Sequence, residues 1–183
     1  MSKLAPARVD VLVFGGGIAG LWTLHVLLAA GYDAHLCETQ ALGSGQTVQS
    51  QGIVHGGGKY ALRSVADLES MRAIREMPER WRAHGSGARV APDLRNARRW
   101  SEACWLWLPR GSWWARAQAW GLVPMLRHGG VLASAPRKRP RSEWPRALQE
   151  HALLALRMAE PVFDTRSVIG CLREPVVDRL LQV

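Results

Sequence analysis

Apolar and polar residues alternate in blocks over the first forty positions of this chain, and the blocks predict a β-α-β unit. The apolar run 9–14 has the length of a strand, and the apolar run 21–30 has the length of a helix. Three glycines, residues 15–17, separate the two runs and predict a tight turn. Gly31 stands where a helix C-terminal glycine belongs, and the short run 34–37 predicts a second strand.

Beyond residue 60 the pattern predicts a mixture of helices, strands and loops. Apolar residues recur every three to four positions over 61–84, which indicates a helix, and Pro78 predicts a break and a second helix over 78–84. Between residues 85 and 128 we expect a loop at 85–87, strands within 88–90, 97–100 and 104–108, and a helix over 112–128. An exposed proline- and arginine-rich loop is expected over 134–146. A strand at Val162 and a helix over 166–174, capped by Asp164 or Thr165, are expected to follow. Residues 176–181 either continue that helix or form another.

The glycine turn carries the G-x-G-x-x-G pattern that is typical of dinucleotide-binding folds when a strand precedes it and a helix follows. Gly15 is expected to make the turn, Gly17 to let the backbone approach a pyrophosphate, and Gly20 to let helix and strand pack closely. Ile18 and Ala19 open the helix, whose free N–H groups favour an anion. A buried β-α-β unit that binds no ligand is the alternative.

Glu38 ends the second predicted strand and lies about 20 residues after the glycines, where a carboxylate binds a ribose hydroxyl. An acid at this position, instead of an arginine, argues against a 2′-phosphate and therefore against NADP. Thr39 follows directly and joins the candidate site. The stretch 39–60 is rich in glycine and small polar residues, which suits backbone pressed against a ligand.

The composition allows one sizeable core, or one domain and part of another, because 48% of the 183 residues are hydrophobic. Residues 1–62 are electrically neutral, so the formal charge of +9 falls on the later, arginine-rich part. Such surfaces bind nucleic acid or anionic membranes in some proteins. No nucleic-acid-binding pattern accompanies the charge, so we favour a solvated surface and do not expect a nucleic-acid partner.

Three widely spaced cysteines without a C-x-x-C pair indicate a reducing, cytoplasmic compartment and no zinc site. The start lacks the apolar stretch of a signal peptide. The run 9–31 is apolar enough to suggest a membrane span. Its glycines and its strand–turn–helix pattern argue instead for a β-α-β unit, so no transmembrane segment is expected.

These motifs resemble FAD-dependent oxidoreductases of the D-amino-acid oxidase and glycerol-3-phosphate dehydrogenase type. The resemblance is carried by residues 11–22, Glu38, and the block 45–60, which ends in His-Gly-Gly and an aromatic residue. It is close over 8–84 and looser up to 183. The second block is the more specific part, because Rossmann domains that bind only NAD lack it.

The resemblance implies FAD as the cofactor, with the first block at its pyrophosphate and Glu38 at its ribose. The second block would run along the pyrophosphate, the ribityl chain and the flavin ring, with contacts at Gly45, Gln46, Thr47, Ser50, Gln51 and Gly52. His55 would lie near the isoalloxazine face and serve catalysis by a hydrogen bond or by tuning the ring. An ordinary turn histidine is the alternative reading of His55.

The expected reaction is hydride transfer to flavin from a small hydroxy-acid-like, amino-acid-like or glycerol-phosphate-like substrate. Lys59 or an arginine of the second half would clamp the substrate's carboxylate or phosphate. Oxygen, a quinone or another flavoprotein would then reoxidise the flavin.

The expected fold class is α/β, with a Rossmann-like FAD-binding domain and part of a mixed α+β substrate or cap domain. We expect the first half of the FAD domain over 1–84, the partial cap over 85–161 and a segment returning to the FAD domain over 162–183. Members of the family are longer, so a second chain or a missing C-terminal part would complete the site. A NAD-binding module without flavin and a truncated flavoprotein with no activity of its own are the alternatives.

Overall fold

The structure, a computed structural model, describes residues 8–57, 74–111 and 136–183. In chain order its helices and strands are β1 Val11–Phe14, α1 Ile18–Ala29, β2 Ala34–Glu38, α2 Gln46–Gln49, α3 Met77–Ser86, β3 Arg99–Ser101, β4 Cys104–Pro109, β5 Arg137–Lys138, α4 Arg146–His151, β6 Ala152–Met158, β7 Val162–Phe163, α5 Thr165–Arg173 and β8 Leu180–Gln182. Two 3-10 helices, Arg141–Glu143 and Glu174–Arg179, precede α4 and β8.

The described residues form two compact units, and both are built from separate stretches of the chain. The first unit takes its described residues from 1–52, 83–98 and 163–183. The second unit takes them from 53–82 and 99–162. The proposed assignment of 1–84, 85–161 and 162–183 to an FAD domain, a partial cap and a returning segment stays a prediction.

A parallel sheet in the order β1-β2-β8 organises the first unit, as the α/β prediction requires. Val11 pairs with Ala34, and Leu36 pairs with Leu180. Residues 176–181, expected to be helical, instead complete a 3-10 helix and enter β8. Pairing with β2 explains the difference, since it supplies the backbone hydrogen bonds that a helix would have made.

Helix α1 covers the sheet, and its end confirms the role predicted for Gly31. That glycine has φ +89° and donates its N–H to Leu28, while the next N–H, of Tyr32, reaches Leu27. This is the Schellman arrangement that satisfies the last carbonyls of a helix. Leu21 and Leu24 on the inner face of α1 are fully buried.

Helix α5 packs on α1 and begins where the sequence predicts. Asp164 is its N-cap, and the carboxylate accepts from the N–H groups of Arg166 and Ser167. A hydrogen bond of 2.7 Å joins Nε2 of His25 in α1 to the carbonyl oxygen of Leu172 in α5. The two helices are therefore held both by apolar packing and by a polar contact.

An antiparallel sheet in the order β4-β6-β5 organises the second unit. Strand β4 confirms the strand predicted within 104–108, and its partner β6 has no counterpart among the predictions. Leu156 and Met158 of β6 are buried and pack against Cys104 and Leu106 of β4. The apolar face of β6 is thus covered within its own unit.

Some of the other predicted secondary-structure elements agree with the structure, and others differ from it. Residues 88–90 are not a strand, because the N–H of Arg89 folds back to the carbonyl of Ala83 at the end of α3. Helix α3 confirms the second helix predicted from Pro78, although it extends to Ser86. The predicted 134–146 loop holds β5 and a 3-10 helix in its described part. The expected helix over 112–128, and the part of the 61–84 helix before residue 74, lie outside the described residues.

Candidate functional site

The glycine turn joins β1 to α1 in the geometry that the motif predicts. Gly15 has φ +101°, a region that favours glycine, and its N–H donates to the carbonyl of Cys37 at 2.9 Å. A Cβ atom on Gly20 would collide with the carbonyl oxygen of Gly15. The start of α1 can therefore lie against the end of β1 only because position 20 has no side chain.

The N-terminus of α1 presents backbone amides that the helix itself cannot satisfy. Gly17 is the N-cap, and its extended backbone (φ −74°, ψ 179°) supplies no capping side chain. The N–H of Ile18 donates to Oγ1 of Thr47 at 3.1 Å. The dipole of α1 and the hydroxyl of Thr47 meet at the place where an anion would bind.

Glu38 ties the end of β2 to the glycine turn. Its Oε2 accepts from the N–H of Gly16 at 2.6 Å, and its Oε1 accepts from the N–H groups of Thr39 and Gln40 at 2.7 and 2.9 Å. Hydrogen bonds from the backbone of Gln40, Gly16 and Thr39 hold the pKa of Glu38 below its ordinary value. An ionised carboxylate has about four acceptor positions, so Oε2 can still accept from a ligand hydroxyl.

The stretch 45–52 folds as one turn of helix, α2, followed by extended chain. Ser50 closes the turn, because its Oγ donates to the carbonyl of Thr47 at 2.9 Å and accepts from the N–H of Gly52 at 3.3 Å. The side chains of Gln46 and Gln51 are exposed. Thr47 is therefore the member of this stretch that reaches the glycine turn through its side chain.

The structure brings part of the predicted site together and leaves part of it on the surface. The residues gathered around the start of α1 are Gly15, Gly17, Ile18, Ala19, Gly20, Glu38, Thr39 and Thr47. The residues on the neighbouring stretch whose side chains make no hydrogen bond to the turn, among the described residues, are Gly45, Gln46, Ser50, Gln51 and Gly52. Their contact with a ligand stays a prediction.

A cavity of about 650 Å³ opens beside Glu38, between β2, β8 and α5 of the first unit. Apolar side chains such as Leu42 and Ile169 line it together with Arg166 and Arg173. Arg166 and Arg173 are among the second-half arginines that the clamp prediction left open, and the two apolar residues have no predicted role. The sequence signal for Arg166, Ile169 and Arg173 is the position of α5 after the Asp164 cap, which does not reveal that the helix faces the end of β2.

His55 lies in the second unit, where it forms a cluster with two other polar side chains. Its Nδ1 is 3.1 Å from Oε2 of Glu160, whose Oε1 accepts from the N–H of Gly56 at 2.8 Å. Sγ of Cys104 is 3.4 Å from Oε2 of the same carboxylate. The side chain of Glu160 is 7% exposed and that of His55 is 31% exposed.

The pKa values of Glu160 and Cys104 are set by burial and by their neighbours in this cluster. Burial raises the pKa of Glu160, but the hydrogen bonds from His55 and Gly56 outweigh it and hold that pKa below its ordinary value. Burial and the nearby carboxylate raise the pKa of the Cys104 thiol to about 12, so the thiol stays protonated and unreactive. Glu160 was absent from the predicted site, and its sequence signal is a single acid within an apolar stretch.

Lys59, one of the candidates for the substrate clamp, lies outside the described residues. Within the residues that the structure does describe, no helix is long and apolar enough to cross a bilayer.

Comparison with known proteins identifies the type of chain. The family model described as FAD dependent oxidoreductase matches residues 10–160. The probable FAD-dependent oxidoreductase PA4991 of Pseudomonas aeruginosa is 41% identical over 175 residues, which cover 94% of this chain and 42% of that protein. Its crystal structure superposes with a TM-score of 0.65 at 35% identity, covering 97% of this chain and 40% of the other.

More distant proteins match smaller parts or the fold alone. An alpha-glycerophosphate oxidase of Streptococcus pyogenes is 33% identical over 78 residues, 40% of this chain and 13% of the enzyme. A glycine oxidase of Geobacillus kaustophilus has a TM-score of 0.66 at 16% identity and covers 96% of this chain and 46% of the other, so it shows the shared fold. This chain therefore spans less than half the length of each of these relatives.

Proposed function

This chain belongs to the family of FAD-dependent oxidoreductases, and we propose that its glycine turn, Glu38 and the stretch 45–52 bind FAD. The start of α1 would hold the pyrophosphate, and Glu38 would accept a hydrogen bond from the adenosine ribose. One observation carries the proposal: the amides at the start of α1 and the carboxylate of Glu38 lie at the same glycine turn, residues 15–17.

The residues present fit such a ligand. A Cβ atom on Gly17 would meet only Oγ1 of Thr47, at 3.4 Å, so the space above Gly17 is open to an approaching phosphate. The remaining acceptor position on Oε2 of Glu38 suits a ribose hydroxyl. An acid at this position also disfavours a 2′-phosphate, in agreement with FAD as the ligand.

Bound FAD supplies the oxidant of the reaction, because flavins accept a hydride from a carbon that bears a hydroxyl or amino group. The chain would bind and orient a small hydroxy-acid-like, amino-acid-like or glycerol-phosphate-like substrate. Similarity to an alpha-glycerophosphate oxidase supports the last of these classes. We assign His55 to the reacting end of the site and Lys59 to the substrate's anionic group, both on the resemblance.

A second candidate function is FAD binding without turnover by this chain alone. The observation in its favour is length, because the chain spans 42% of the Pseudomonas aeruginosa relative. A second chain or a further C-terminal part would then supply the missing contacts to the flavin.

Flavin absorbance of the purified chain tests the proposal. We expect FAD to co-purify, or to bind when added to the apoprotein, and to be identified after extraction. Turnover of glycerol phosphate, amino acids and 2-hydroxy acids, followed by bleaching of the flavin without oxygen, separates an enzyme from a binding module. A folded chain that takes up no FAD would overturn the proposal.

A competition experiment addresses the remaining alternative, a NAD-binding module. The apoprotein is titrated with FAD and with NAD under the same conditions, and intrinsic tryptophan fluorescence reports binding. FAD should bind more tightly, and tighter binding of NAD would contradict the assignment.

A further inference from the structure

Two extended stretches of the second unit run side by side and set the register of the His55 cluster. Ile53 and Val162 form an antiparallel bridge, and the N–H of Val54 donates to the carbonyl of Pro161 at 3.0 Å. Continuing this register brings the residues after Val54 opposite Glu160. The backbone, and not a chance rotamer, therefore places this carboxylate beside His55.

The buried carboxylate of Glu160 has acceptors only, which decides where the proton of the neighbouring imidazole lies. An ionised carboxylate cannot donate, and burying it without partners is costly. Its Oε1 is taken by the N–H of Gly56 at 2.8 Å, and its Oε2 faces Nδ1 of His55 at 3.1 Å. Contact with Oε2 is favourable only if Nδ1 carries hydrogen.

We infer that Glu160 is a positioning residue that holds His55 in the tautomer with hydrogen on Nδ1 and leaves Nε2 as the acceptor nitrogen. Among the described residues no hydrogen-bond partner of Nε2 is found, and the side chain is 31% exposed. The lowered pKa of Glu160 agrees, since it keeps the carboxylate ionised at neutral pH.

This arrangement defines what His55 can do for a bound ligand. A free Nε2 accepts a hydrogen bond from a hydroxyl or ammonium group, and the adjacent carboxylate stabilises the imidazolium if the proton is transferred. The use of Nε2 by a substrate rests on the proposed function. The tautomer itself does not, because it follows from contacts within the second unit.

The substitution Glu160→Gln gives a sharp test, because it should reverse the tautomer. The N–H of Gly56 can only donate, so it selects the carbonyl oxygen of the new amide as its partner. The NH₂ group of the amide then faces Nδ1 of His55. Nδ1 must become the acceptor, and hydrogen moves to Nε2.

Nitrogen NMR of the full chain with ¹⁵N-labelled histidine measures the tautomer, because a protonated and an unprotonated imidazole nitrogen differ widely in chemical shift. His55→Gln assigns the signals by their loss. At neutral pH we expect hydrogen mainly on Nδ1 in the unchanged protein and mainly on Nε2 in Glu160→Gln. Glu150→Gln is the matched control, since it removes an exposed carboxylate 4.0 Å from His151 and should leave the His55 signals unchanged.

The nitrogen NMR spectrum of the unchanged protein is by itself sufficient to test the inference. Hydrogen mainly on Nε2, or an even mixture of tautomers, would overturn it, and so would a folded Glu160→Gln protein with unchanged His55 signals. If Glu160→Gln does not fold, the spectrum of the unchanged protein remains the deciding measurement. The spectra are recorded without flavin, so a failure to bind FAD leaves the tautomer result intact.

Discussion

The carboxylate of Glu38 connects two parts of the candidate site at the scale of a single residue. It accepts from the N–H of Gly16 within the glycine turn and from the N–H groups of Thr39 and Gln40 beyond β2. Loss of this carboxylate should therefore loosen the turn as well as remove a ribose contact. A substitution at position 38 is expected to weaken FAD binding through both effects.

The lowered pKa of Glu38 predicts a pH dependence of stability. A carboxylate whose pKa is lower in the folded than in the unfolded chain stabilises the fold above its unfolded pKa, about 4.3 for Glu. That contribution is lost as the pH falls through the folded-state pKa. Glu38→Gln should therefore lower the melting temperature at pH 7, and the difference from the unchanged protein should shrink in acid.

Thermal unfolding of both proteins between pH 7 and pH 3 measures this difference. Glu143→Gln serves as the control, because its exposed carboxylate forms an ion pair with Arg139 at 3.4 Å and lies outside the glycine turn. A gap between the Glu38→Gln protein and the unchanged protein that stays constant down to the lowest pH would contradict the assignment.

Gly17→Ala separates ligand binding from folding at the proposed pyrophosphate site. Among the described residues the added methyl group meets Oγ1 of Thr47, at 3.4 Å, and alanine replaces glycine at the N-cap, so the free fold should lose at most about 1 kcal/mol. It would occupy the space through which a phosphate reaches the backbone. Losing hydrogen bonds to a charged group costs about 1.5–3 kcal/mol, which weakens FAD binding roughly tenfold to a hundredfold.

Isothermal titration with FAD checks the loss of affinity in Gly17→Ala. Gly85→Ala in α3 is the matched control, since the nearest atom to its added methyl group is Cζ of Phe163 at 4.0 Å. Equal FAD affinity in all three proteins would argue against the glycine turn as the pyrophosphate site.

The residues of the site differ in how far the sequence alone can reveal them. The glycines and Glu38 follow a fixed spacing within residues 15–38 of one β-α-β unit, so their positions could be predicted. Glu160 is separated from His55 by 105 positions. Their contact depends on the pairing of two distant stretches, which no local pattern encodes.

At the scale of the element, the glycines within α1 and α5 differ in the space around them. Gly20 in α1 lies against the backbone of Gly15, whereas a Cβ atom on Gly170 in α5 would meet nothing within 4 Å. Gly20→Ala should push α1 from β1 and destabilise the fold by about 1–3 kcal/mol. Gly170→Ala should stabilise it by about 0.5–1 kcal/mol, because alanine favours helix.

Chemical denaturation of the two variants tests this contrast, and each serves as the control for the other. The prediction fails if both substitutions change the free energy of unfolding in the same direction by similar amounts.

The elements also show why some parts of the fold could be predicted and others could not. The helix α1 and its flanking strands form a local unit with clear apolar runs and a glycine at each end. Strand β6, Ala152–Met158, contains mostly alanine and leucine, which favour helix. Its extended form results from pairing with Cys104–Pro109, so tertiary context outweighs the local preference.

At the scale of the whole molecule, β1 lies at one edge of the parallel sheet among the described residues. Within the described ranges β1 pairs only with β2, and the side chains of Leu12 and Phe14 are 42% and 76% exposed. Parallel sheets are normally covered on both faces. The matched relatives are more than twice as long, and we propose that their further chain provides this cover.

Supplying the relative's further region in trans tests that proposal. The part of the Pseudomonas aeruginosa relative that lies beyond the matched region is co-expressed with this chain. We expect the two to co-elute from a sizing column and to retain more FAD than this chain alone. Phe14→Glu should weaken the association, and Val183→Glu, a change at an exposed C-terminal position, serves as the control.

Independent elution of the two pieces, with FAD retention unchanged, would contradict the proposed cover of β1.

The pairing of Leu36 with Leu180 has a consequence for the order of events on the ribosome. The two halves of this ladder are made 144 positions apart, which at about 5–20 residues per second is roughly 7–30 s of synthesis. During that interval the β1-α1-β2 segment lacks its third strand, whereas β4 and β6 can already pair. The β1-α1-β2 segment cannot complete its sheet until β8 has been synthesised. Nascent chains that stall before residue 180 therefore become substrates for chaperones and proteases.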